Sequence, residues 1–218
     1  MKRLTLLRKT WLVFLFAFLV QMVAFEGTSA VQAEAVQEGF EKKSGHCFYY
    51  QDGKKVTNTW KSLEADGGRY RFYFGKNGAA YQAKKLYKDA YNVKLYKIER
   101  KQYGFDNYAH LAGPGIYLDS MYRFVVLGKG GVYDAKKSGK LRRQLRIYSD
   151  VRKVSKKMYN HVVSLLGKPV SVRRSSSCDP WNSKDKFTDV TLYYDHYEVL
   201  LIRNNRTKEY ALSGYFPR

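Results

Sequence analysis

Two cysteines, Cys47 and Cys178, and four histidines, His46, His110, His161 and His196, are the residues of this chain best suited to catalysis. A cysteine nucleophile needs a neighbouring base or cation to hold it as thiolate. Cys178 with His196 and either Asp179 or Asp195 supplies the right residue types, yet neither cysteine sits in a protease or transpeptidase signature. His46 beside Cys47 offers two adjacent metal ligands without the second pair that a zinc site needs. Gly128-Lys129-Gly130-Gly131 lacks the spacing and the Ser/Thr of a phosphate-binding loop. Glu64, Asp66 and Asp89 lie near turns or basic stretches, and no acid pair suggests glycoside hydrolysis. The expectation is therefore a protein that binds rather than catalyses, without metal or cofactor.

What remains for binding is rings and cations. The chain holds 20 Tyr, 12 Phe and 3 Trp, and 40 Lys+Arg against 19 Asp+Glu, for a net charge of +21. Basic runs recur at Lys84-Lys85, 97–101, Lys136-Lys137, 140–143 and 153–157, many beside Tyr. On strands, alternation places cations on one face and rings on the other. A field this positive attracts polyanions, and the compartment decides which ones.

The amino end answers that. Lys2, Arg3, Arg8 and Lys9 precede an apolar run from Trp11 to Phe25, and Val31-Gln32-Ala33 fits a small-x-small cleavage site. A spanning helix needs about 20 apolar residues, and this run is shorter, so export with cleavage is expected over a retained anchor. Candidate partners are then wall polysaccharide, teichoic acid and other extracellular polyanions; nucleic acid would bind only non-specifically, with steep salt dependence. In an exported chain, Cys47 and Cys178 are a possible disulfide, with two buried free thiols as the alternative. Such a bridge is nominally worth about 4–5 kcal/mol.

The elements that position the rings are short hairpins. An aromatic-x-aromatic stretch, a turn and an outgoing strand recur: Phe48-Tyr49-Tyr50 with Asp52-Gly53, then Phe72-Tyr73-Phe74 with 75–78. Tyr103-Gly104-Phe105 with Asp106-Asn107 and Tyr122-Arg123-Phe124 with 128–131 follow. Asp-Gly and Asn-Gly supply the positive φ of tight hairpins, and lone hairpins are marginal, so stacking through aromatic layers is expected. After Arg143 the pattern changes. Asp150 would cap a helix carrying Val151, Val154, Met158, Val162 and Leu165, with His161 beside its apolar stripe, stopped by Gly167 and Pro169. Strands at 170–174, 189–194, 197–203 and 208–215 would complete an α+β unit, one helix on a three- to four-stranded antiparallel meander. The division expected is 1–33 signal peptide, 34–46 linker, 47–143 β-hairpin repeats and 144–218 a small α+β domain, mainly β overall.

The stretches FYYQDGKKVTNTWK (48–61) and RFYFGKNGAAYQ (71–82) resemble the cell-wall-binding, choline-binding-like repeats of Gram-positive surface proteins, with YGFDNYAHL (103–111) and YRFVVLGKGGVYD (122–134) as weaker copies. The resemblance implies a hairpin solenoid whose aromatics contact wall polymer. Carried across, Tyr50 and Trp60 would serve the first copy, and Phe72, Phe74 and Tyr81 the second. Tyr103, Phe105, Tyr122 and Phe124 would serve the weaker copies. Choline cages favour Trp, and Trp60 stands alone here, with Ala109 where a Gly belongs, so a general wall-polymer surface, or repeats kept for structure alone, fits better. LLGKP (165–169), SSSC (175–178) and SGYF (213–216) resemble small helix-plus-meander domains appended to such proteins in gut Clostridia; LLGKP is also similar to a turn in small outer-membrane assembly lipoproteins. The expected function is a secreted, wall-associated, non-catalytic protein. The alternatives are an extracellular protein-binding or inhibitor module, with an unknown partner for the C-terminal part, and a wall-acting enzyme.

Overall fold

Left-handed residues in adjacent pairs punctuate the first half of the chain. Ser44-Gly45 (φ 51° and 75°), Asp52-Gly53 (53° and 68°) and Asp66-Gly67 (47° and 79°) each take the positive φ that two-residue hairpin turns demand. They join β1 (Gly39–Lys43) to β2 (His46–Gln51), β2 to β3 (Lys54–Lys55), and β4 (Thr59–Ala65) to β5 (Gly68–Phe74). Two further hairpins follow, β6 (Val93–Ile98) with β7 (Lys101–Asp106), and β8 (Gly115–Leu118) with β9 (Phe124–Leu127). This computed structural model describes residues 37–86, 88, 90–147, 154–177 and 186–218. The expected signal peptide, Asp150, Val151 and Cys178 lie outside them. Residues 39–46, read from sequence as linker, are strand and turn: Phe40 packs 5.2 Å from both Tyr49 and Phe72.

A second kind of turn recurs. In 75–79, 106–110, 119–123 and 128–132, the first residue's N–H donates to the fifth carbonyl and the fourth N–H to the first carbonyl, all between 2.7 and 3.2 Å. The fourth residue has positive φ each time: Gly78 79°, Ala109 70°, Tyr122 57° and Gly131 71°. Where the first residue is Asp its side chain stitches the turn. Asp106 Oδ1 accepts from the Tyr108 and His110 N–H groups, and Asp119 Oδ1 from those of Met121 and Arg123. Three of these turns fold the chain back into single bridges, Phe74–Ala80, Phe105–Leu111 and Leu127–Tyr133. The fourth closes β8–β9.

The C-terminal part is a four-stranded antiparallel sheet of β10 (Ser171–Ser177), β11 (Phe187–Tyr193), β12 (Tyr197–Asn204) and β13 (Tyr210–Pro217), in that order. Two helices accompany it. One, α1 (Ala135–Gln144), was not anticipated, because its run AKKSGKLRRQ reads as a basic stretch with a glycine in the middle. It forms because Asp134 caps it, accepting the Lys137 N–H at 2.8 Å. Ser138 Oγ and Arg142 then tie it to Val126 N and Phe124 O of β9. The other, α2 (Met158–Leu166), begins later than expected: Ser155 forms a bridge with Tyr210 instead, and Val154 is exposed. Gly167 (φ 88°) ends it, its N–H on Val163 O. Among the described residues no helix is long and apolar enough to cross a membrane.

The chain from Glu38 to Arg218 is thus one compact unit, and its described residues are mainly β, with several small antiparallel sheets and two α-helices. Its largest core holds Val190, Leu192, Val199 and Leu201 of the sheet, Val162 of α2 and Leu141 of α1, together with Leu118 and Phe124. The core of the C-terminal sheet therefore draws on residues ahead of Arg143. One link to it is a ring stack: His196 lies 4.2 Å from Tyr91 and 5.1 Å from Tyr117. Burial lowers the His196 pKa below its ordinary 6.5, against smaller opposing effects of Asp195 and Asp106. The folded state then resists a proton that the unfolded chain accepts, so this contribution is whole above pH 6.5 and is lost as pH falls toward the lowered value. Melting temperatures from pH 7 to 5 should fall less steeply for His196→Phe than for the wild type; equal slopes would show that His196 does not carry the acid sensitivity.

Candidate ligand-binding surface

Strand alternation sorts the rings. On β5, Tyr70, Phe72 and Phe74 face one way, and Arg69, Arg71 and Tyr73 the other. Phe72 and Phe74 are 1% and 0% exposed and pack with Cys47, Ala80 and Ala109. Phe105 and Phe124 are likewise fully buried. These four, expected from sequence to meet a ligand, fill core layers instead: a Phe ring has no polar edge to leave in water, so it takes the inner face of the strand. Tyr122 is exposed, near Phe216. Tyr50 is half-buried, with its hydroxyl donating to Glu41 Oε2 at 3.0 Å.

The structure brings Trp60, Tyr81 and Tyr103 together, and adds Tyr73 and Tyr96. Register places Trp60 opposite Tyr73 on β4–β5 and Tyr96 opposite Tyr103 on β6–β7. These two faces meet: Trp60 lies 5.1 Å from both Tyr73 and Tyr103 and 5.8 Å from Phe105, and Tyr81 stacks on Tyr96 at 4.2 Å. Apart from Phe105 at the base, each ring is half-buried. The cluster joins two hairpins and leaves ring faces and edges at the surface. Cations sit on it, with the Arg71 guanidinium 4.2 Å from the Trp60 ring and Lys94 Nζ 4.8 Å from that of Tyr96.

Beside Tyr81 and Tyr96 opens a cleft of ≈ 960 Å³, bounded by the β1–β2 hairpin and the 106–110 turn. Gln82 pins one wall, donating to Gly45 O at 2.7 Å, while the Tyr96 hydroxyl donates to Gln82 O at 2.7 Å. Lys42, Lys84, Lys85 and Lys94 line it against a single acid, Asp66. At the floor, His110 is stacked 3.7 Å from Tyr70 and stands between two carboxylates, Nδ1 3.5 Å from Asp106 Oδ2 and Nε2 3.4 Å from Asp66 Oδ2. Its Nε2 is buried and makes no hydrogen bond. His110, Tyr73 and Tyr96 were not among the residues expected from sequence to meet a ligand. The available signal was the Tyr between two Phe at 72–74, whose hydroxyl marks the outward position.

Of the other histidines, His46 is exposed and lines the same cleft, and His161 is exposed on α2. Cys47 is a buried free thiol; burial raises its pKa, with Lys42 partly opposing, so it is a poor nucleophile at neutral pH. Its suggested partner Cys178 lies outside the described residues, as does Asp179.

No protein-family model matches this chain, and no curated protein matches it. Among solved structures, an alternansucrase in complex with isomaltononaose is similar over 45% of this chain and 7% of that chain, at 19% identity and a TM-score of 0.25. The chain thus spans under a tenth of that protein's length, and a likeness at that TM-score fixes neither fold nor function.

Proposed function

We propose that this chain is an exported bacterial surface protein that binds a cell-wall polymer without catalysis, through the aromatic cluster on β4–β5 and β6–β7. The observation that carries this reading is the half-buried set Trp60, Tyr73, Tyr81, Tyr96 and Tyr103 with Arg71 and Lys94 upon it. Sugar rings present apolar C–H faces that aromatic rings cover, and cations on the same surface draw in an anionic chain. The leader-like amino end and the net charge of +21 support the same reading. The stacked-repeat reading draws support from the turn that recurs four times.

The purified exported protein should sediment with intact wall sacculi at low salt. Charge alone would release it near 1 M salt, where screening acts over about 3 Å. Retention that survives salt and falls several-fold in Trp60→Ala with Tyr81→Ala would place the contact on the rings. Failure to sediment at low salt ends the proposal.

A second reading has its own observation. Met121, Tyr122 and Phe216 are exposed together, at 67%, 44% and 45%, an apolar tip that suits contact with a protein partner.

A further inference from the structure

We infer that the cleft beside Tyr81 and Tyr96 is a subsite for one anionic sugar unit of the bound polymer, a residue bearing a carboxylate or a phosphate. The inference rests on the polymer-binding reading. Three features converge. The first is the orphan at the floor: His110 lines the cleft, and its Nε2 is buried and lacks a hydrogen bond, with Asp66 Oδ2 3.4 Å away. An unmet buried polar atom destabilises the free protein, and a ligand group that satisfies it gains accordingly. A hydroxyl is donor and acceptor at once, so vicinal sugar hydroxyls suit a nitrogen and a carboxylate oxygen side by side.

The second feature is the wall. The Tyr81–Tyr96 stack lines the cleft and continues the cluster that runs to Trp60. A chain lying on those rings reaches the cleft without leaving aromatic surface. Tyr108, 47% exposed, stands at the other side, near-parallel to His110 at 6.1 Å. The volume, ≈ 960 Å³, is that of an ordinary ligand cleft and more than one sugar requires.

The third is charge. Lys42, Lys84 and Lys94 line the cleft and outnumber Asp66 and the Asp106 carboxylate beside His110, which favours a unit with its own negative group over a neutral one. The wall is built in advance, since Gln82 is held to Gly45 and Tyr96 to Gln82.

The test follows histidine ring ¹H–¹⁵N signals of the exported protein titrated with tetragalacturonic acid, neutral galactotetraose and galactose 1-phosphate. The His110 Nε2 signal should move, while that of His161, exposed and outside the cleft lining, stays. The acidic oligomer should bind about tenfold tighter than the neutral one. Lys84→Gln with Lys94→Gln, both exposed positions, should abolish that preference without altering the fold. Displacement of the oligomer by galactose 1-phosphate extends the site to phosphate-bearing sugars, and no displacement confines it to uronic acids. A His110 signal that stays still at saturation, or equal affinity for both oligomers, overturns the subsite. If sacculi still retain the protein in that case, only the subsite has failed; if they do not, the polymer reading has failed with it.

Discussion

Phe124→Ala is expected to cost about 3–5 kcal/mol, and to loosen hairpin β6–β7 together with the C-terminal sheet. The reason is the position of β8–β9, which is buried on both faces. Ile116, Leu118, Phe124 and Val126 belong to the core of β10–β13, where Phe124 lies 4.5 Å from Tyr215 and 5.7 Å from Tyr197. Tyr117, Val125 and Leu127 alternate with them and pack into a second core with Val93 and Leu95 of β6. A cavity at Phe124 therefore weakens the element on which two cores rest. Domains of this kind have about 5–15 kcal/mol in total, so the loss is a large fraction. Urea denaturation should show one transition at a much lower midpoint, and amide exchange should accelerate in β6–β7 as well as in β11–β13. Acceleration confined to the C-terminal sheet would mean that the two cores open independently.

Much of this architecture was legible because turn chemistry is local. Asp52-Gly53 and Gly75-Lys76-Asn77-Gly78 announce their geometry wherever they occur, and the alternation in 187–193 and 197–204 gives a half-buried antiparallel sheet. What escaped depends on partners distant in sequence. Helix α1 has Leu141 as its sole buried apolar residue, so no periodicity marks it; it is a helix because Asp134 caps it and β9 offers Phe124 O to Arg142. The start of α2 moved because Ser155 found Tyr210. The site was legible in type but not in orientation. Aromatic-x-aromatic shows that two rings share a face, but not whether that face is the inner one, and Phe72 and Phe74 were placed outward when Tyr73 holds that place. His110 carries no local signal at all: its setting is made by Tyr70, Asp66 and the 106–110 turn, brought together only by the fold.

The recurring five-residue turn yields the other large effect. Gly131→Ala should destabilise by about 2–5 kcal/mol, the sum of a left-handed backbone for Ala and of overpacking. At φ 71°, a Cβ there would lie 2.6 Å from Ala112 O and 2.7 Å from Leu111 Cδ1. Relief is costly because the clash is with backbone, and Ala112 is itself held to β7 by its N–H on Gly104 O at 2.9 Å. Conformation alone does not forbid Ala at this point of the turn, since Ala109 holds the equivalent place at φ 70°, fully buried. The neighbouring Gly130→Ala is the control: φ is 67° and nothing lies within 4 Å of its Cβ, so only the backbone cost of about 1–2 kcal/mol remains. Urea midpoints of the two variants, measured side by side, separate crowding from backbone strain. Equal losses would show that the 128–132 turn does not press on Ala112, and that its glycine serves conformation only.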